Sequence, residues 1–165
     1  KTIIGIVTAQ GGRIVLGAGV GWLEEEFNVL DTHDFKRRGR VTDEYLEIFK
    51  AISAGGEVSY RGETYAFAPI FSSPGSVQRP HPPIVIGGGG ERKTLRLVAK
   101  YADACNLNVT EVDAVAHKLQ VLREHCDADH DAQDAIDSTD VGLHGEVLLI
   151  GGGNARPARR RASVT

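Results

Sequence analysis

The chain has 165 residues, 41% of them hydrophobic and 25% charged, which suits one ordinary globular domain and excludes a wholly disordered chain. A formal net charge of −3 gives no electrostatic case for a nucleic-acid partner. No apolar run approaches the ~20 residues that span a bilayer and no charged-then-apolar signal peptide opens the sequence, so the expected setting is cytoplasmic, away from membranes.

The two cysteines, Cys105 and Cys126, stand in no CxxC or zinc-type spacing, which argues against a disulfide framework or a metal centre. Glycine is the compositional outlier at 20 residues, and its clusters point to tight turns or to backbone that approaches a ligand. The chain opens at Lys1-Thr2-Ile3-Ile4 and contains no methionine, which reads as a start in the middle of an element.

Arg13 to Ala18 is a short apolar run breaking into glycines, the pattern of a buried strand entering a loop. The loop Gly17-Ala18-Gly19-Val20-Gly21-Trp22 precedes Glu24, Glu25 and Glu26, and acids in a first turn suit the positive end of a helix. It is GxGxG and not the GxGxxG of a dinucleotide fold. It reads either as a strand-to-helix turn with a core tryptophan or as a glycine floor for a planar ring system.

Arg40 to Ile52 predicts an amphipathic helix, with Val41, Tyr45, Ile48 and Ile52 on one face and Gly55-Gly56 ending it. Val58 to Phe67 predicts a hairpin turning at Arg61-Gly62-Glu63. Pro69 to Pro83 predicts an irregular connection whose end, from Gln78 to Pro83, is extended because proline restricts itself and its predecessor.

Ile84-Val85-Ile86 predicts a buried strand running into Gly87-Gly88-Gly89-Gly90, with a helix from about Glu91 to Ala102 presenting Leu95, Val98, Ala99 and Ala102. Such a loop brings backbone N–H groups together at a helix start, an anion site in which side chains would hold a phosphate away. A flexible turn that binds nothing is the plainer alternative. The stretch also approaches GxxxxGK[ST], but Arg92 occupies the second required glycine, so a nucleoside triphosphatase is not expected.

Ala104 to Val109 predicts the next strand. Thr110 with Asp113 resembles a capping box opening a helix with Val115, Leu119, Leu122 and Cys126 on one face. Alternating strands and helices indicate a parallel sheet covered by helices, with about three core strands before residue 110. Asp127, Asp129 and Asp131 fail as a calcium loop, because Ala132 and Ser138 stand where glycine and glutamate are required. His125, Cys126 and His130 read as an exposed, frayed helix end. His33, His81, His117 and His144 stand apart from any catalytic partner. From Asp127 the pattern degrades through a strand candidate at Glu146–Ile150 to a basic tail, expected to be poorly ordered.

Three ordered blocks carry a family resemblance. Gly12 to Trp22, with Glu25 and Glu26, resembles the mid-barrel strand and loop of luciferase-like monooxygenases. Gln78 to Gly90 resembles their phosphate-loop strand, and Tyr101 to Leu107 the strand after it. Gly39-Arg40 and Asp43-Glu44-Tyr45-Leu46 are similar as well. The wording is closest to the coenzyme F420-dependent oxidoreductases and covers about residues 1–126, leaving 127–165 as a weakly matching tail.

The resemblance implies an α/β fold, a TIM (β/α)8 barrel, of which this chain would supply a partial barrel lacking the N-terminal strands. It implies a coenzyme F420-dependent oxidoreductase acting on a small organic substrate, with an FMN-dependent monooxygenase as the alternative. It implies cofactor contacts from Gly19, Val20, Gly21, Trp22 and Glu25, from Gly87, Gly88, Gly89 and Gly90, and from Asn106. In one sugar-phosphate-oxidising branch a catalytic glutamate lies in the loop matched by Gly19 to Trp22. Trp22 stands there instead, and the sequence names no catalytic acid or base. A third reading is an inactive fragment or assembly module, since half a barrel leaves sheet edges that invite a homo-oligomer.

Overall fold

The computed structural model describes residues 11–109 and 111–134, the last five through their backbone. They form two compact units. The first holds residues 11–16 and 20–83, and the second holds 17–19 and 84–134.

In the first unit, helix α1 (Glu24–Val29) begins with three glutamates that face its positive end. A 3-10 turn over Phe35–Arg37, capped by the Asp34 carboxylate accepting from Lys36 N–H, leads into α2 (Arg38–Ala54). Gly55 ends α2 at φ 81°, a left-handed backbone that favours glycine. The expected helix is therefore present, longer by two residues at each end. Its buried face is not the one expected, however. Val41 is buried, but Tyr45 is half exposed and the buried set includes Gly39, Thr42, Glu44, Leu46 and Ser53. The helix turns this way because Glu44 reaches the hairpin that follows.

That hairpin pairs β2 (Gly56–Arg61) with antiparallel β3 (Ala66–Ser72). It turns where expected, but β3 runs on through Pro69. Proline lacks the N–H of a ladder and is accepted on an edge strand, and in this two-stranded sheet each strand has one partner. Residues 77–82 bend repeatedly and are not extended. Tertiary hydrogen bonds override the local proline preference here. The Gln78 amide pairs with both the N–H and the C=O of Ile14, and Arg79 donates to the Ala54 carbonyl.

The second unit is a layered β/α assembly. β4 (Ile84–Gly87) and β5 (Ala104–Asn106) are parallel, in register Val85–Ala104, Ile86–Cys105, Gly87–Asn106. β1 (Leu16–Gly19) flanks β4 on the other side, so the sheet order is β1-β4-β5. Asp103 fixes the start of both parallel strands, since its carboxylate accepts from Ile84 N–H and its own N–H donates to Ile84 O.

Helix α3 (Thr94–Tyr101) buries Leu95, Leu97, Val98 and Tyr101. It packs on β4 and on α4 (Val112–Asp134). Ile84, Ile86 and Cys105 are fully buried beneath it, with Leu107 and Leu122 closing the core.

Three expectations change here. The first strand is Leu16–Gly19, displaced toward the glycines and only half-buried on alternate residues, because among the described residues it pairs on one edge alone. The helix after the glycines opens at Thr94, following a turn over residues 91–93. The helix after β5 continues to Asp134 despite the polar run from Asp127. Thr110, His144, Glu146–Ile150 and the basic tail lie outside the described residues, so the capping box, the last strand candidate and most of the tail fall there. The parallel pair and its covering helices follow the α/β expectation, and the described strands form an open sheet, not a closed barrel. No described helix is long and apolar enough to cross a membrane.

Candidate functional site

The glycine run continues directly from β4. Gly87 is the last strand residue, beside Asn106 at the end of β5, and the Gly88 N–H donates 2.9 Å to the Asn106 carbonyl. That bond carries the parallel ladder one residue past the strand and fixes the direction of the loop. Gly88 has φ 118°, a backbone that L side chains rarely adopt, and a Cβ there would stand 3.3 Å from Thr94 Cγ2. At Gly90 a Cβ would meet Thr94 Oγ1 at 3.0 Å. The loop thus lies over the buried first residue of α3.

Gly89 differs from its neighbours. It has no positive φ, and the nearest group to a Cβ placed there is the Cε of Lys118, at 3.8 Å. The glycine at this position is not demanded by the protein's own packing. The space it leaves is a cradle that a side chain would fill.

The turn over residues 91–93 replaces the expected first helical turn because Glu91 is held from α4. The Lys118 ammonium donates to Glu91 Oε1, and His117 Nε2 lies 3.2 Å from the same oxygen. His125 Nε2 lies 2.8 Å from the Glu91 carbonyl. The hydrogen bond from Lys118 holds the Glu91 carboxyl below the usual carboxylate range, against the opposing effect of burial. The carboxylate is therefore ionised at neutral pH, and the pair is charge-assisted.

His125 is half-buried and bonded well inside a continuing helix, not at an exposed, frayed end. Sequence reasoning assigned no role to Glu91, Thr94, Lys118 or His125. The legible signal was helical spacing, since Lys118 stands four residues before and His125 three residues after Leu122 of the predicted apolar stripe.

Of the residues expected near a cofactor, the structure brings Gly87, Gly88, Gly89, Gly90 and Asn106 together at one end of β4 and β5. Gly19 ends β1 in the same sheet, with open space where its Cβ would lie. Val20, Gly21, Trp22 and Glu25 belong to the first unit. Gly21, at φ 80°, packs so closely on the Phe27 ring that a Cβ would lie 2.7 Å from it, and its carbonyl accepts from Arg38 Nε. Trp22 is 83% exposed, so it is not the core tryptophan of a tight turn. Glu25 is exposed in the first turn of α1.

The thiols of Cys105 and Cys126 are free, and burial pushes both above the ordinary thiol range. A raised value leaves little thiolate at neutral pH and suits packing more than nucleophilic chemistry.

Comparison with known proteins adds three observations. The model of a family described as luciferase-like monooxygenase matches residues 1–149, which carries the match past Cys126. The uncharacterized protein Rv0953c of Mycobacterium tuberculosis is 33% identical over 115 residues, covering 68% of this chain and 39% of its own length. The FMNH(2)-dependent dimethylsulfone monooxygenase of Pseudomonas putida is 28% identical over 127 residues, covering 74% of this chain and 34% of its own length. This chain therefore spans between a third and two-fifths of those relatives.

Among solved structures, monooxygenase RslO1 from Streptomyces bottropensis superposes with a TM-score of 0.65 at 22% identity, over 76% of this chain and 39% of that one. Riboflavin lyase RcaE, with modified FMN and riboflavin bound, superposes with a TM-score of 0.56 at 9% identity, over 76% of this chain and 30% of that one. At these identities the two structures establish the fold.

Proposed function

The chain belongs to the luciferase-like monooxygenase family, and from that premise we propose that the full-length protein is an oxidoreductase using a reduced flavin-type coenzyme on a small organic substrate. The second unit would hold the coenzyme's phosphate. The observation that carries this reading is Gly89, a glycine that neither backbone angle nor packing demands, between Gly88, whose φ favours glycine, and Gly90, where a Cβ would crowd Thr94. A loop needs such a residue when something outside the protein approaches its backbone.

In this reading Gly89 and Gly90, past the strand ladder that takes the Gly88 N–H, offer backbone N–H groups, Gly19 and Asn106 end the neighbouring strands, and the side-chain-free surface admits the phosphate. The location agrees with the general rule that α/β proteins bind ligands at the carboxyl ends of their parallel strands. The bound coenzyme would supply the redox chemistry, either hydride transfer or the reducing equivalents for oxygen insertion. The chain's residues would bind and orient it. Val20, Gly21, Trp22 and Glu25 are assigned to the coenzyme by family resemblance.

Two coenzymes fit, because FMN and coenzyme F420 share a ribityl phosphate. The family resemblance over about residues 1–126 favours F420. The name of the Pseudomonas relative favours FMN. Mixing the full-length protein with each reduced coenzyme and following its oxidation spectroscopically separates them, and turnover of neither removes both.

The phosphate assignment has its own test. Gly89→Val places a branched side chain in the cradle while meeting only a lysine methylene, so the fold should survive. Affinity for FMN or F420, titrated by fluorescence with circular dichroism as the folding control, should fall at least about tenfold, ~1.4 kcal/mol. A folded variant that binds as tightly as the parent reduces the loop to a turn.

A further inference from the structure

We propose that Lys118 is the cation of the phosphate site: its ammonium, carried on α4 and held beside Gly89 by Glu91, supplies the positive charge for the coenzyme phosphate. This rests on the assignment of Gly87–Gly90 to that phosphate, and extends it by naming a side chain 28 residues beyond the loop's last glycine, together with its counter-ion.

Glycines contribute only backbone dipoles, whereas a phosphate ester brings one or two full negative charges. Arg92 and Lys93 adjoin the loop but are exposed, and water and salt screen charges placed there. Lys118 is placed differently. Its side chain is 19% exposed, and its stem runs past the point where Gly89 lacks a side chain. A largely desolvated ammonium needs a partner, and Glu91, the residue after the fourth glycine, provides one.

That pair fixes the ammonium close to the cradle. An ammonium has three donors, and the Glu91 bond uses one. The support extends along the same helix. His125, two turns after Lys118, lies against the Glu91 carbonyl, so α4 holds Glu91 by its side chain and by its backbone. Glu91 and His125 are positioning residues in this arrangement, and Lys118 is the group that meets the ligand.

The test compares phosphorylated and phosphate-free forms of each coenzyme on the full-length protein: FMN against riboflavin, and F420 against its phosphate-free ribityl-5-deazaflavin core. Lys118→Gln removes the charge and keeps a shorter, polar, unbranched side chain at the position. It should reduce the preference for the phosphorylated form by about tenfold or more and leave binding of the phosphate-free form within about threefold. Lys118→Arg should retain most of the preference. Should Lys118→Gln not fold, Lys118→Met keeps an unbranched stem and answers the same question.

A folded Gln or Met variant with the parent's preference overturns the proposal. So does one that loses both forms equally, which would make Lys118 structural. If Gly89→Val weakens FMN or F420 binding while Lys118→Gln leaves the preference intact, the Lys118 assignment alone falls. If the parent shows no preference for a phosphorylated form, the phosphate reading of the loop falls with it.

Discussion

The two units are held together by different means. Among the described residues, the second unit buries nine hydrophobic residues (Ile84, Ile86, Leu95, Leu97, Val98, Tyr101, Cys105, Leu107 and Leu122) and one polar residue, Thr94. The first buries three hydrophobic residues (Val41, Leu46 and Val58) and five polar ones, Thr42, Glu44, Ser53, Ser72 and Ser76. In place of a broad apolar core it has a polar staple. The Glu44 carboxylate accepts from the backbone N–H groups of Glu63, Thr64 and Tyr65, closing the hairpin turn onto α2. Arg37 and Arg40 add exposed pairs to Glu63 that contribute little in water. A ligand loop positioned to a fraction of an ångström needs rigid support, and the apolar β/α unit is where the glycine cradle is found.

The largest effect should come from the second unit's core. Ile86 is fully buried on β4, one residue before the cradle. Ile86→Ala removes three buried carbons and leaves a cavity, which should cost about 2–5 kcal/mol in denaturant unfolding of the full-length protein. Hydrogen exchange should locate the loss in β4, β5 and α3. A cost below about 1 kcal/mol would break the comparison, because it would mean that the unit does not depend on its apolar core.

A smaller effect is expected at the staple. Glu44→Ala leaves three backbone donors of the turn without their acceptor, and exchange at Glu63–Tyr65 should accelerate while β4 and α3 stay protected. The melting temperature should fall by about 5 °C or more. Acid should reproduce this loss. Burial pushes the Glu44 carboxyl up, but the N–H groups of Tyr65, Thr64 and Glu63 together hold it below its ordinary value. A folded-state value below the unfolded one means the contribution is complete above about pH 4.3 and disappears as pH falls through the folded value. Glu91 is shifted in the same direction, but it sits at a loop above an apolar core. Acid should therefore release the hairpin before the β4–α3 core, and Glu44→Ala should abolish the first step.

What the sequence disclosed followed from short-range pattern. The α2 and α4 helices, the hairpin turn and the strand running into glycines all come from residues within a few positions of one another. Element ends were less legible. Helix α3 opens at Thr94 because Glu91 is captured by Lys118, 27 residues away, and no local propensity encodes that. The buried face of α2 was misjudged because Glu44, a charged residue, is buried by backbone donors 19–21 residues on. The glycine run itself was legible. That Gly88 needs its φ, that Gly90 crowds Thr94 and that Gly89 between them is free to take a side chain emerged from three-dimensional packing.

The smallest stability effect is expected at Trp22. The indole is 83% exposed, so Trp22→Ala removes almost no buried surface, and unfolding should change by no more than about 0.5 kcal/mol. An exposed tryptophan beside a glycine whose carbonyl is fixed by Arg38 holds a position without contributing to a core. If family resemblance assigns it correctly to the coenzyme, the same substitution should weaken FMN or F420 binding a few-fold, ~0.5–1.5 kcal/mol for a lost aromatic contact. It should do so equally for the phosphate-free forms, since a ring contact is indifferent to the phosphate. That pattern is the inverse of the one expected at Lys118. A Trp22→Ala protein with unchanged stability and unchanged binding of all four compounds would remove the residue from the site and leave the cradle of the second unit as the only tested contact.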